Sequence, residues 1–310
     1  MKLSIIAGSS TDRQFILLAP SGAPLRGLFR HVDDDAEWHQ ELIADMQRLR
    51  GRIYLKDGAI SEKELSSSGR HIQAIDAECW HLLIVNSNGF VVGCTRYLQH
   101  AASTQFNRLR VRTAALARSA RWSGPLRRSI ERELEEARRN GFSYVEVGGW
   151  ALDESVRLSS DAVRSVLFTF AWSQVIGGCL GLSMATHRNG SASILRRIGG
   201  FPLECDGQPI PPYYDPEYKC DMEVIRFDSR IPSPKYQQVI AEIKSQIPGM
   251  MVIRPEKASI PRNALVNGPQ MTARSAPAQY CSWGSGSRRT QNRVKECEQP
   301  ETIALMRLDV

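Results

Sequence analysis

The sequence predicts an α/β (α+β) fold in which a mixed β-sheet carries helices on its faces. Two apolar runs within residues 80–97, joined by Asn-Gly, indicate an antiparallel hairpin. Strand-like and helix-like segments then alternate from residue 123 to residue 227. This alternation is typical of a β-α-β unit, which brings parallel strands into the same sheet.

Each further element follows from its own pattern. The acidic triplet 33–35 predicts the start of a helix, because carboxylates are favourable at a positive helix N-terminus. An apolar stripe from Leu126 to Ala137, ended by Gly141, predicts a second helix. The pair Gly148-Gly149 interrupts a strand where a bulge or a close backbone approach would fit. Other strands are predicted at residues 3–6, 15–18, 142–147, 180–186 and 221–227, and other helices at residues 161–174 and 189–201.

Composition excludes several classes of protein. No run of about 18 apolar residues exists, so we expect no membrane span, and the apolar part of residues 1–6 is too short for a signal peptide. Seven cysteines without a C-x-x-C pair indicate free thiols in a reducing cytoplasm. Six histidines without metal-ligand spacing predict no metal site.

The net charge of +7 is concentrated in one stretch. Residues 107–139 contain ten arginines and four glutamates. This excess favours an acidic partner such as phosphate, nucleic acid or an acidic protein, although a solvated helix face explains it equally well. The stretch lacks the interleaved aromatic residues that base stacking requires, which disfavours nucleic acid.

The segment from residue 189 to residue 201 has a distinctive spacing. Asn189, Ala192, Leu195, Gly200 and Phe201 stand at relative positions 0, 3, 6, 11 and 12. This resembles the N-x-x-A-x-x-L-Y-x-x-x-G-F signature of the GNAT N-acyltransferase superfamily, whose helix packs beside the pantetheine arm of coenzyme A. Small residues would let the helix start approach a ligand, and the glycines would give a sharp exit with Phe201 in the core. A plain Gly-Gly helix cap is the alternative.

One position departs from that signature. Arg196 stands where the family has the tyrosine that donates a proton to the departing thiolate. A guanidinium can stabilise a thiolate by its charge, but it cannot act as a proton donor near neutral pH. Tyr213, Tyr214 or Tyr218 of the following loop could supply the phenol or wall the acceptor pocket, with simple packing as the alternative.

A second stretch, residues 157–162, resembles the Q/R-x-x-G-x-G/A turn that holds the pyrophosphate of coenzyme A in this superfamily. Arg157 and Ala162 fit, whereas Ser160 replaces the first glycine and Asp161 would repel a phosphate. An ordinary helix N-cap is the alternative. The resemblance implies that the cofactor-binding residues are Trp150, Ala151, Arg157, Ser159, Ser160, Ala162, Asn189 and Ala192.

Residues 154–157, an E-x-x-R, resemble the E-x-S-R stretch of the acyl-homoserine-lactone autoinducer synthases. Their relatives, the long-chain N-acyl amino acid synthases, share the fold and take acyl groups from acidic acyl carrier protein. The resemblance implies a GNAT-like, mixed and mostly antiparallel sheet with helices on both faces and a splayed central parallel strand pair. The predicted parts are an N-terminal strand and helix segment packed on the core (1–50), the acyltransferase domain (51–235), a C-terminal helix or extension (236–254) and a basic, disordered tail (255–310).

The implied reaction is direct attack of an amine on a thioester in a ternary complex. Glu146 is the candidate base, with an ion pair to an arginine as the alternative for that residue. His187 is a second candidate base, with a hydrogen bond to a loop as its alternative. A backbone N–H near Trp150 would stabilise the oxyanion, and Tyr218 and Arg196 complete the predicted catalytic set.

The sequence thus predicts a cytoplasmic N-acyltransferase that moves an acyl group from acyl-CoA or acyl-ACP to the amine of an amino acid or other small molecule, without a metal. Two alternatives stay open. One is an acetyl-CoA-dependent N-acetyltransferase. The other is a catalytically silent domain of the same fold that binds an acyl thioester, which the substitution at Arg196 favours.

Overall fold

The computed structural model describes residues 13–25 and 27–256, so the strand predicted at residues 3–6 and nearly all of the basic tail lie outside the described residues. The strands are β1 Arg13–Leu18, β2 His31–Asp34, β3 Trp80–Asn86, β4 Val91–His100, β5 Ser143–Leu152, β6 Cys179–Thr186, β7 Phe201–Pro202, β8 Glu204–Cys205, β9 Gln208–Pro209, β10 Tyr213–Asp215, β11 Cys220–Asp228 and β12 Met251–Arg254. The helices are α1 Ala36–Lys56, α2 Ser123–Asn140, α3 Glu154–Arg157, α4 Ser160–Val175, α5 Ser191–Arg197 and α6 Gln237–Gln246.

Ten of these strands form one mixed sheet, which confirms the predicted fold class. The order is β10-β11-β6-β5-β4-β3-β1-β12-β2, with β7 paired to β11. The pairs β5–β6, β1–β12 and β12–β2 are parallel, and the remaining neighbours are antiparallel. The strands β8 and β9 form a separate small hairpin.

Helices cover both faces of the sheet. Tyr144 packs in the core beneath α2, whereas the next residue, Val145, packs in the core beneath α4, α5 and α6. Since consecutive strand residues point to opposite faces, α2 and α4 lie on opposite sides of the sheet. Leu82 and Leu83 make the same division for α4 and α1. We call the side of α4–α6 the first face and the side of α1 and α2 the second face.

Local chemistry explains where the predicted elements begin and end. The Asp35 carboxylate accepts a hydrogen bond from the N–H of Trp38 at 2.9 Å and caps α1. Gly141 takes the left-handed conformation, at φ of 67°, that ends α2. The helix α1 continues through residue 50, and β12 inserts between β1 and β2, so the described N-terminal and C-terminal parts contribute to the same sheet.

The parallel pair at the centre of the sheet separates partway along its length. The ladder between β5 and β6 ends with Glu146 opposite Leu182, although β5 continues to Leu152 and β6 to Thr186. The backbone of residues 147–152 therefore has a β4 partner on one side and no β6 partner on the other. We call the gap between residues 147–152 and 183–186 the slot.

None of the helices in the described part of the chain is both long enough and apolar enough to cross a membrane.

Candidate active site

A β-bulge forms one wall of the slot. Cys94 pairs with Ala151 and Arg96 pairs with Gly148, which leaves Thr95 opposite the two residues Gly149 and Trp150. A bulge inserts one extra residue on one strand and re-aims the side chains beside it. The predicted interruption at the glycine pair is therefore confirmed as a bulge that lies beside the slot.

The bulge carries two polar atoms that lack partners. The indole Nε1 of Trp150 and the hydroxyl Oγ1 of Thr95 are buried, and neither makes a hydrogen bond with the described residues. Both side chains lie on the first face, since Trp150 packs against the core beneath α4 and Thr95 alternates with Arg96 of the second face. An unpaired buried donor is costly in a folded protein, so these atoms are suited to contact a polar group of a ligand.

Across the slot, β6 and β11 bring together a carboxylate, a histidine and an arginine. Glu223 of β11 is fully buried, and its Oε2 lies 3.2 Å from Nε2 of His187, which directly follows β6. Its other oxygen accepts from Nε of Arg196 at 3.1 Å and from a second nitrogen of the same guanidinium. The His187 side chain is 40% exposed, and among the described residues its ring contacts Glu223 through Nε2.

This cluster contains two of the predicted catalytic residues and one that the sequence analysis missed. Glu223 was visible only as one of two carboxylates, with Asp221, in the predicted strand of residues 221–227. The structure gives it two cationic partners, and a carboxylate held on one imidazole nitrogen orients the other nitrogen as an acceptor.

Glu146, the first candidate base, has a different environment. Its Oε2 accepts from the N–H of Arg110 at 2.8 Å and lies 2.9 Å from Nε2 of His100, while its Oε1 accepts from the N–H of Val111 at 2.9 Å. The residue is 5% exposed. These bonds occupy both oxygens and attach a short 3₁₀ turn, Arg110–Thr113, to the sheet. Backbone N–H groups and His100 therefore hold the Glu146 carboxylate, and not the arginine side chain that was the alternative.

The glycine pair also makes room for buried arginines on the second face. A side chain at Gly149 would meet the Cβ of Arg96 at 3.0 Å, and one at Gly148 would lie 3.8 Å from the Nη2 of Arg96. The Nη1 of Arg96 donates to Gln73 and lies 3.4 Å from the Asp76 carboxylate, which also binds the fully buried Arg50. Burial opposes ionisation of Asp76, but the hydrogen bond and charge of Arg50 hold the pKa of its carboxyl below the ordinary value.

Arg110 adds a second cation near Arg96. Burial, followed by the positive charge of Arg96, lowers the pKa of the Arg110 guanidinium, and the described residues provide it with no ion pair. Tyr218, which the sequence analysis grouped with Arg196, is instead influenced by Arg110 and Arg96, while its burial raises the pKa of the phenol. The charges of Arg96 and Arg110 thus act on each other and on the phenol of Tyr218.

The turn between β5 and α4 contains the predicted pyrophosphate-binding stretch. Ser159 occupies the N-cap position of α4, but its hydroxyl donates to the carbonyl of Val156 and does not cap the helix N–H groups. Ser160 is exposed at the helix start. Asp161, which was expected to repel a phosphate, is 2% exposed and lies 3.2 Å from the guanidinium of Arg13. The uncapped N–H groups keep the partial positive charge of a helix N-terminus.

Three predicted cofactor-binding residues are buried in the core instead of lining an open surface. They are 2–5% exposed: Ala151, Ala162 and Ala192. Their small side chains allow close packing of α4 and α5 on the sheet.

The helix of the first signature differs from its prediction at both ends. It spans only α5, Ser191–Arg197, after Gly190 in the left-handed conformation. The prediction that Phe201 is buried is wrong, because its side chain is 44% exposed and Ile198 enters the core instead. Gly200 packs against β11, where a Cβ would meet Cγ2 of Ile225 at 2.4 Å.

Arg157 and Asn189, from the two separate signatures, do meet. Arg157 ends α3, which follows β5, and Asn189 precedes α5, which follows β6. Both contact the carboxylate of Asp57 at the end of α1. The sequence contains no local signal for Asp57, since it lies about 100 residues from the turn that it contacts.

No family model matches the chain, and no curated protein matches it. Among solved structures, the CoA-dependent acyl-homoserine lactone synthase BjaI is 12% identical, covers 84% of this chain and 95% of its own, and has a TM-score of 0.48. FeeM, an N-acyl amino acid synthase from uncultured soil microbes, is 10% identical over 63% of this chain and 88% of its own, with a TM-score of 0.42. A ribosomal-protein-S5-alanine acetyltransferase from Vibrio fischeri is 13% identical over 60% and 89%, with a TM-score of 0.35. These proteins are of the kinds that residues 154–157, 157–162 and 189–201 resemble.

Proposed function

We propose that the protein is an N-acyltransferase that moves an acyl group from an acyl thioester to the amine of an amino acid or other small molecule. The observation that carries this proposal is the slot, where β5 and β6 part after Glu146 and Leu182. A gap inside a sheet offers unpaired backbone N–H and C=O groups to a ligand that lies along the strand. The pantetheine arm of an acyl thioester is extended and contains two amides that can use those groups.

The bulge supports a position for the thioester carbonyl. Attack on that carbonyl develops negative charge on its oxygen, and a fixed donor in a water-poor site stabilises this charge. The indole Nε1–H of Trp150 is such a donor, because it is buried and has no acceptor in the described part of the chain. We assign it this role together with the backbone N–H groups of the bulge.

The cluster around Glu223 supports proton transfer. With the proton of the imidazole on Nε2, where Glu223 accepts it, Nδ1 of His187 is free to take a proton from the attacking amine. The amine nitrogen then forms the C–N bond, the C–S bond breaks, and the electron pair leaves with sulfur as a thiolate. Arg196, held by Glu223 on the same face, stabilises that thiolate by its charge.

The charges of Arg96 and Arg110 support an acceptor that carries a carboxylate. Arg96 is almost fully buried and directs Nη2 toward the open position of Gly148, and the charge of Arg110 acts nearby. Guanidinium groups bind carboxylates with two parallel hydrogen bonds. An amino acid would place its carboxylate here and its amine in the slot.

The donor arrives as acyl-CoA or as acyl-ACP. Arg108, Arg112, Arg118 and Arg121 are exposed and make no ion pair with the described residues, whereas the exposed arginines of α2 pair with acidic neighbours such as Glu131 and Asp206. Unpaired surface arginines attract an acidic partner. They support a carrier protein as one source of the acyl thioester.

The proposal is tested by mixing the purified full chain with thioesters and a panel of amino acids. The donors are acetyl-CoA, a long-chain acyl-CoA and a long-chain acyl-ACP, and free thiol is measured over time. We expect thiol release that depends on both donor and acceptor, with an N-acyl amide identified by mass spectrometry.

A sample without acceptor controls for hydrolysis of the thioester. Acceptor-dependent thiol release with acetyl-CoA, but with neither long-chain donor, would identify the short-chain variant of the activity. Saturable binding of thioesters without any acceptor-dependent release would overturn the proposal and leave a binding domain.

A further inference from the structure

One carboxylate contacts both of the segments that border the open end of the slot, the one that follows β5 and the one that follows β6. We call these two segments the arms of the slot. Asp57, the residue that ends α1, lies 3.4 Å from Nη2 of Arg157 through both of its oxygens. Its Oδ2 also accepts from Nδ2 of Asn189 at 3.2 Å, and its backbone carbonyl accepts from Nη1 of Arg188 at 3.2 Å. We call Arg157, Arg188 and Asn189 the mouth of the slot.

The end of α1 is attached to one arm by further ion pairs. Arg52 lies 2.8 Å from Asp153, and Lys56 pairs with Glu154, so the last turn of α1 is fixed to the segment that follows β5. Contact with the other arm is made through the mouth residues that follow β6. Asp57 therefore connects the two arms through contacts that lie outside residues 147–152 and 183–186.

The mouth presents donors that suit a phosphate. The Arg157 guanidinium and the Asn189 side-chain amide approach the same carboxylate, and a phosphate offers acceptor oxygens in the geometry that arginine binds best. Arg188 lies beside them, where its guanidinium donates to the backbone carbonyls of Asp57 and Lys219. The Asp57 carboxylate already uses the donors of Arg157 and Asn189, and its side chain is only 18% exposed. A phosphate that enters the mouth must displace this carboxylate or lie beside a like charge.

We infer that Asp57 determines donor specificity by filling a phosphate site formed by Arg157 and Asn189, with the guanidinium of Arg188 beside it. It disfavours a donor with several phosphates at the end of its pantetheine arm, as in coenzyme A, relative to one with a single phosphate or none. This inference rests on the proposed function, because it assumes that a pantetheine arm occupies the slot.

Binding of unreactive coenzyme A and of pantetheine, measured by calorimetry, tests this inference. In the wild type we expect the two dissociation constants to agree within about threefold, because Asp57 cancels the gain from the phosphates. Asp57→Asn keeps the shape and the backbone contacts and removes the charge. It should tighten coenzyme A binding about tenfold and leave pantetheine binding unchanged.

Asp206→Asn is the matched control, because it removes the same charge from an exposed side chain that forms an ion pair with Arg132 of α2. It should change neither constant. Arg157→Gln combined with Asp57→Asn should abolish most of the gain for coenzyme A, since the phosphate loses its main cation. Wild-type protein that already prefers coenzyme A by tenfold or more would overturn the inference, as would a gain shared equally by pantetheine.

Failure here is distinguishable from failure of the proposed function. Calorimetry with unreactive ligands needs no turnover, so a charge effect at Asp57 is measured even in a chain that transfers no acyl group. Absence of acceptor-dependent thiol release from every donor refutes the enzyme, whereas an unchanged coenzyme A constant in Asp57→Asn refutes only the specificity role.

Discussion

Two glutamate–histidine pairs flank the central strands, and they differ in access. Glu146 and His100 lie on the second face, where the His100 side chain is 10% exposed and two backbone N–H groups complete the shell of the carboxylate. Glu223 and His187 lie beside the slot, where the carboxylate is fully buried but the His187 side chain is 40% exposed. The residue types are the same, and the environments are opposite.

This comparison teaches that residue type alone does not identify a base. A general base needs a free lone pair within reach of the substrate, so its position matters before its pKa does. Both oxygens of Glu146 accept hydrogen bonds from the 3₁₀ turn that it supports, and His100 adds a contact to one of them. Among the described residues, Glu223 contacts only Nε2 of His187, so Nδ1 keeps its lone pair when the ring proton is on Nε2.

The sharpest test of the comparison is His187→Gln. Glutamine can still donate to Glu223, but it has no basic nitrogen to accept a proton from the amine. We expect the rate of acyl transfer to fall about 10²- to 10³-fold at neutral pH. The loss should shrink as the pH rises, because a growing fraction of the acceptor amine is then deprotonated in solution. Thiol release measured from pH 6.5 to 9.5 gives both quantities.

His100→Gln is the matched control for that variant, because it makes the same change in the enclosed pair. It should leave the rate within about twofold of the wild type. An equal loss in both variants would remove the distinction between the two pairs.

A third histidine extends the comparison to the buried extreme. His81 is 1% exposed, and burial lowers the pKa of its imidazole to about 4 from the ordinary 6.5. The unfolded chain therefore binds an extra proton between those values, so stability is complete above about pH 6.5 and is lost as the pH falls toward 4. We expect a loss of about 3 kcal/mol over this window, measured by urea unfolding at several pH values.

His81→Gln retains a donor for the carbonyl of Asp76, which His81 contacts at 2.8 Å. This variant should lower stability at neutral pH and flatten the decline between pH 6.5 and 4. A decline as steep as that of the wild type would assign the acid sensitivity to other groups.

The smallest expected effect belongs to Glu146→Gln. The amide keeps one acceptor oxygen but turns an NH₂ group toward a backbone N–H, so one buried hydrogen bond is lost. We expect the free energy of unfolding to fall by about 2 kcal/mol, with the rate per folded molecule largely retained. Urea unfolding and thiol release on the same samples separate the two effects.

Glu131→Gln is the surface control for this variant, since its ion pair with Arg127 is solvent-exposed. Its effect on stability should stay below about 0.5 kcal/mol. A large fall in rate at unchanged stability in Glu146→Gln would restore Glu146 as the base.

The elements of the fold were largely predictable, because each depends on neighbours in sequence. The Asn-Gly turn, the aspartate before α1 and the glycine after α2 act within four residues. The burial of Phe201 was predicted wrongly, since whether that side chain points inward depends on how β7 pairs with the distant β11.

The candidate site was less predictable. Arg157 and Asn189 carried motif signals, and His187 was a candidate by its type. Glu223 and Asp57 gained their significance only from contacts across 27 to 132 residues of chain. No local pattern specifies such contacts, because they depend on the order of strands in the sheet.

The sequence by itself determined most of the elements, the mixed sheet and the turns that flank the slot. These depend on apolar periodicity and on turn residues, which act locally. The tertiary structure alone decided which donors surround each carboxylate. A carboxylate takes its role from the donors that surround it, and those donors come from strands and turns that meet only when the sheet is assembled.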